Sequence, residues 1–182
     1  MPAVAMRRSF THRSFALLVL GALCFSGCRR RSNETPMDKS TPTGSSTAED
    51  PRIATLRAAY AAFNRNDIDS AVAAMDANIE WSEPPEFSGG GAYHGRNAVK
   101  GYLTQSRAAW AEGASEPEQF IPSGDRIAVF VHARFRLKGK DDWQEVSLAD
   151  VYTFRDGRPV QMRAFANRQD ALNWVGIQDS TR

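Results

Sequence analysis

Cysteine is nearly absent: Cys24 and Cys28 are the two in 182 residues, and both lie in the first 28. Once that segment is removed, no disulfide, thiol nucleophile or cysteine-bound metal is left. Histidine is as scarce. His12 falls in the same segment, which leaves His94 and His132 and gives no support to a histidine-rich metal centre. The apolar run Phe15–Phe25 has eleven residues, against roughly 20 needed to span a bilayer. No charge dominates either. Of 23 basic residues, Arg7, Arg8 and Arg13 precede residue 28 with no acid beside them, leaving 20 basic against 21 acidic. Without a basic patch, nucleic acid is excluded as a partner. The glycine-rich "SGGGAYHG" (88–95) lacks the Lys-Ser/Thr of a P-loop, and no Gly-x-Ser-x-Gly elbow occurs. No cofactor is implied.

What is there begins with an address. "MRRSFTHRSFALLVLGALCFSGC" (6–28) has a basic opening, a short apolar run and small residues before its last cysteine. It resembles the signal of bacterial lipoproteins, which implies lipidation at Cys28 and loss of Cys24 with the signal. An ordinary secretory signal is the alternative, because Phe25 stands where leucine is more usual. By the same resemblance, Arg29 after the cysteine implies an outer-membrane anchor facing the periplasm if the host is Gram-negative. Residues 29–50, "RRRSNETPMDKSTPTGSSTAED", have no aromatic side chain and one large apolar one, Met37. They are expected to form a flexible tether of about 25 Å r.m.s..

The folded domain is expected over 51–178. Ile53, Leu56, Tyr60 and Phe63 recur at helical spacing. "NRND" ends that helix, and Asp67 caps a second carrying Ile68, Ala71, Val72 and Met75. "NIEWSE" reads as a short strand, "SGGGAYHG" as a loop, and 97–110 as a third helix ending at Trp110. After the break "EGASEPE", the period becomes two, which predicts strands over 117–123, 126–137, 143–155 and 159–167 and a short closing helix. Helices followed by antiparallel strands make an α+β fold.

A two-residue turn at Asp156-Gly157 sets Arg155 opposite Arg158 and places Asp150 opposite Arg163, Tyr152 opposite Gln161 and Leu148 opposite Phe165. Pairing Leu137 with Trp143 puts Phe130 opposite Asp150, with His132 diagonal to it. One face then carries Phe130, His132, Leu148, Asp150, Tyr152, Arg163, Phe165 and Asn167. It mixes aromatic and ionisable groups, as a ligand pocket does, or as a solvated face with one Asp150–Arg163 ion pair does. Val129, Val131, Ala133, Ala149, Val151, Val160, Met162, Ala164 and Ala166 are expected on the other face.

"AAFNRNDIDSAVAAMDANIEW", "YHGRNAVKGYL" and "YTFRDGRPVQMRAFANRQDAL", with the spacing between them, resemble the nuclear transport factor 2-like superfamily. It includes SnoaL-type cyclases, ketosteroid isomerase and limonene epoxide hydrolase. The resemblance implies a curved antiparallel sheet wrapped around N-terminal helices, a cone-shaped α+β barrel with an internal pocket. "EPP" (83–85) falls where ketosteroid isomerase bears its general base, and Asp150 falls on its oxyanion-hole aspartate, a carboxylic acid kept neutral by an apolar site. Glu83 and Asp150 are thus the candidate catalytic pair. That family's oxyanion tyrosine would fall at Ala59. One helical step turns a side chain by about 100°, so Tyr60 is not expected to replace it. The acid that cyclases carry near Asn167 is here an amide, and Asp150 with Arg163 is only part of the hydrolase's Asp–Arg–Asp set.

Tyr60, Trp81, Trp110, Phe130, His132, Tyr152, Arg163, Phe165 and Asn167 are the candidate ligand-binding residues. Three roles stay open: a lipid-anchored envelope domain holding a small, mostly apolar molecule; an acid–base isomerase, cyclase or hydrolase using Glu83 and Asp150; and a protein-interaction domain forming a homodimer.

Overall fold

Asp50 and Pro51 start the first helix of the computed structural model, which describes residues 49–177. The expected signal, Cys28 and the tether up to residue 48 lie outside the described residues. Asp50 Oδ1 accepts from the Arg52 N–H at 2.9 Å, and Pro51 occupies the first turn, where its missing N–H costs nothing. α1 (Pro51–Asn64) buries Leu56 and Tyr60, one turn apart. Asn66, at φ 61°, reverses the chain, and Asp67 caps α2 (Ile68–Val72) by accepting from Ser70 N.

β1 (Glu80–Glu83) follows, then β2 (Gly91–His94), α3 (Arg96–Ala108), β3 (Trp110–Ser123), β4 (Arg126–Leu137), β5 (Trp143–Arg155), β6 (Arg158–Phe165) and α4 (Arg168–Trp174). The strands form one curved, unclosed sheet in the order β2-β1-β6-β5-β4-β3. Neighbours run antiparallel except β1 and β6, which are parallel, with Trp81 beside Met162.

Two segments differ from the expectation. The glycine-rich loop ends in a strand, because Gly89 and Gly90 turn tightly enough to bring Ala92 and Tyr93 beside β1. A Cβ on Gly90 would sit 2.1 Å from the Pro84 carbonyl oxygen. "EGASEPE" is not a break but the first half of β3, and Trp110 begins that strand instead of ending a helix. Its glycine and proline are tolerated because β3 is the sheet edge. Gly113, at φ 132°, lies where a Cβ would meet Phe135 Cα at 2.4 Å. Shifts of register flank it at Trp110/Glu112 and follow at Pro117/Gln119.

The register across the last three strands is one residue off the expected one. Asp150 pairs with Val129 and with Ala164, not with Phe130 and Arg163. The hairpin starts as expected, Arg155 opposite Arg158 with Asp156 and Gly157 at positive φ, but a shift at Thr153/Phe154 puts Tyr152 opposite Met162. That shift lies beside Pro159, which has no N–H to give a ladder. A slip of one residue exchanges the faces of a strand.

Val129, Val131, Leu148, Tyr152, Phe154, Met162 and Ala164 therefore face α1, α2 and α3 in the main core, together with Leu56, Ile79 and Val99. Ala128, Phe130, Ala149, Val151 and Phe165 face the other way, onto Ala171 of α4 and Val175 just after it.

Candidate functional site

Period two along β5 sends Leu148, Asp150 and Tyr152 inward under the helices. The 3.6-residue period of α1 sends Tyr60 down to meet them. The Tyr60 hydroxyl donates to Asp150 Oδ2 at 2.5 Å, and the Tyr152 hydroxyl donates to Tyr60 at 3.4 Å. Tyr60 therefore does reach Asp150, contrary to the expectation from helix phase. Leu56 and Tyr60 lie on the stripe of α1 that is buried against the sheet. Asp150 is 8% exposed and is the one charged residue of the buried core among the described residues.

At the end of β1, Trp81 and Glu83 share a face, and the indole Nε1–H donates to Glu83 Oε1 at 2.8 Å. Tyr102 of α3 lines the same space, and its hydroxyl favours the charged form of the Glu83 carboxyl. Trp81 stands edge-on to Tyr152 at 6.3 Å and tilted to Tyr102 at 6.5 Å, while Tyr93 of β2 stacks on Tyr102 at 4.6 Å. At the far end Trp110 stacks on Phe135 at 4.5 Å and meets Phe63 edge-on at 5.5 Å.

These groups line a half-open cavity of about 710 Å³, into which both Glu83 and Asp150 open. Its size is that of a small-molecule site. Tyr60, Trp81, Trp110 and Tyr152 also line it. Burial raises the Glu83 carboxyl to about 8, helped by the charge of Asp150 and opposed by the Trp81 indole and the Tyr102 hydroxyl. Burial likewise raises Asp150, to about 6, against the opposing bond from Tyr60. Between those two values the pair holds one proton and one negative charge. Burial also pushes the hydroxyls of Tyr60, Tyr102 and Tyr152 upward, so they stay protonated donors. An acid and a base thus face one apolar space, the requirement for proton transfer on a bound molecule.

Five of the expected pocket residues lie elsewhere, for the reason of register given above. Phe130 packs under α4, with the Arg168 guanidinium 4.7 Å from its ring. Arg163 lies over Trp174 at 4.5 Å and over Phe165 at 5.3 Å, so it is no partner of Asp150. Phe165 itself meets Trp174 at 6.0 Å. His132 alternates with the cavity residue Ala133 and lies opposite Ser147 and Glu116, on the face away from the cavity. Asn167 caps α4, its Oδ1 accepting from Asp170 N at 2.8 Å.

Tyr102, Phe135 and Glu86 are among the cavity residues that were not candidates. Tyr102 lies on α3, whose helical period does not announce its approach to Glu83. Phe135 was hidden by the misplaced register of β4. Glu86 follows the Pro84-Pro85 turn and carries no periodic signal. Among the described residues, no group of three or more His, Cys, Asp or Glu gathers as a metal site would need.

The family model of the SnoaL-like domain matches residues 56–162. A comparison with curated proteins finds no match. Among solved structures, the chain is similar to a nuclear transport factor 2-like protein of unknown function from Burkholderia pseudomallei. The two are 26% identical at a TM-score of 0.59, over 69% of this chain and 98% of that one. It is also similar in fold to TerC co-crystallised with polyporic acid, 24% identical at a TM-score of 0.58 over 69% of this chain and 98% of that one. A hypothetical protein from Catenulispora acidiphila with a ketosteroid isomerase-like fold, in complex with trimethylamine, shares the fold at 14% identity. Its TM-score is 0.56, over 68% of this chain and 93% of that one.

Proposed function

The chain belongs to the SnoaL-like family, and we propose that its cavity binds a small, mostly apolar molecule and moves a proton on it, Glu83 serving as acid and Asp150 as base. The observation that carries this reading is the opening of both carboxyls into one aromatic-walled space of about 710 Å³. Their different surroundings support the division of roles. Glu83 is raised to about 8, whereas Asp150 keeps a tyrosine donor and titrates near 6. Near neutral pH one is a proton donor and the other an acceptor, the pattern by which paired carboxyls divide such work. On the same reading the domain is lipid-anchored at the cell envelope through Cys28, which the order of basic residues, apolar run and "FSGC" supports.

A second reading is binding without turnover. The Tyr60 hydroxyl is already engaged by Asp150, and Asn167 is an amide spent on capping α4, so no relative's full catalytic set is assembled. One experiment separates the two. Native mass spectrometry of the protein purified from its host is expected to find a retained small molecule. Incubated in deuterated water with the protein, that compound is expected to take up deuterium, and to lose the uptake with Glu83→Gln or Asp150→Asn. A retained compound that never exchanges means carriage alone, and an empty protein sinks both readings.

A further inference from the structure

The cavity wall has a one-sided chemistry. Three carboxyls open into it, Glu83, Asp150 and Glu86, and no Lys, Arg or His does so among the described residues. Nine of its lining side chains are aromatic. Arg107 of α3, the base closest in sequence to the far wall, donates to the Asn64 carbonyl at 3.4 Å and stands 5.6 Å from the Trp110 ring, but does not itself line the cavity. An anion entering this space meets carboxylate charge and the negative faces of aromatic rings, with no positive group in the lining to offset either. A cation meets attraction from both, because ring faces draw positive charge most strongly where water is excluded.

We propose that the ligand is an organic cation, a hydrophobic amine or quaternary ammonium, whose charged nitrogen sits between Glu83 and Asp150 against the rings of Trp81, Tyr102 and Tyr152. This deepens the reading of the cavity as a small-molecule site and rests on it. Glu83 and Asp150 face each other's charge, and the remaining titratable groups around them are Glu86, Tyr60 of α1, Tyr93 of β2, Tyr102 of α3 and Tyr152 of β5. Burial keeps Tyr60, Tyr102 and Tyr152 neutral, so the carboxyls set the charge of the site. A neutral amine takes the Glu83 proton as it enters and stays as ammonium. A quaternary ammonium has no place for that proton, which leaves to solvent.

Three probes of one size test this on the full chain by titration calorimetry: benzyltrimethylammonium, its neutral isostere neopentylbenzene, and phenylacetate. At about pH 9 the cation is expected to bind at least about tenfold tighter than the neutral isostere, with phenylacetate weakest. Its affinity is expected to fall toward about tenfold per pH unit below about pH 8, as Glu83 protonates. Runs in Tris and in phosphate buffer at about pH 7 are expected to show release of close to one proton on binding. Glu83→Gln is expected to remove both the pH dependence and the release, and Asp150→Asn to weaken the cation more than the neutral probe.

The proton release is read on the unaltered chain, so it stands even where a variant fails to fold. Equal or tighter binding of the neutral isostere or of phenylacetate overturns the cation and leaves the pocket intact. A cation affinity independent of pH does the same. No binding by any of the three overturns the pocket as well.

Discussion

Asp150 accepts from the Tyr60 hydroxyl and Glu83 from the Trp81 indole, and burial raises both carboxyls against those bonds. Repulsion between the two is mutual, so the donor at each carboxyl decides how readily it holds charge, and the Tyr60 hydroxyl favours the charged form of Asp150. A hydrogen bond to a charged group contributes about 1.5–3 kcal/mol. Tyr60→Phe is expected to destabilise the fold by about that amount near pH 8 and to move the Asp150 titration higher. Carboxyl-carbon NMR through a pH series, with thermal melts alongside, measures both. An unmoved Asp150 titration would mean the tyrosine does not act on its charge.

Elements show where the sequence was legible. The cap at Asp67, the face of α1 and the turn at Asp156-Gly157 all rest on local chemistry, and all appear in the fold. What escaped was non-local. The shift beside Pro159 leaves little trace in composition, yet it turns β6 over and carries Arg163 and Phe165 to the face under α4. Glu83 and Asp150 were legible as a pair only through a family resemblance. They are 67 residues apart in chain and meet because β1 lies beside β6, which no periodicity announces.

The register gives an element-scale prediction. Arg163→Ala is expected to leave the Asp150 titration unmoved and to lower stability by about 0.5–1 kcal/mol through lost stacking on Trp174 and Phe165. Were Arg163 the ion partner of Asp150, its removal would raise that titration by about one to three pH units.

For the whole molecule, two buried carboxyls with raised pKa values make folding depend on pH. Each binds its proton more tightly folded than unfolded, so the folded state holds more protons between about pH 4 and about pH 8. Stability then falls as pH rises through that window and is fullest near its acid end. Asp50 and Asp67, held low by Arg52 and Ser70, act in the opposite sense, but only below about pH 4. The thermal midpoint is expected to be higher at about pH 5 than at about pH 9, and Glu83→Gln to flatten the slope above about pH 6. A midpoint that rises across this range would contradict the burial of the pair.

The parallel pairing of β1 with β6 bears also on when the fold can exist. Trp81 waits for Met162, about eighty residues further along the chain, so the inner edge of β1 has no neighbour until nearly all of the domain has been made. Loop closure over such a length is slow relative to local hairpins. The β4–β5–β6 meander can zip early, while β1, β2 and the Glu83 side of the cavity join last. A chain built this way stays unfinished until nearly the whole domain has been synthesised, so the cavity forms as a last step of folding.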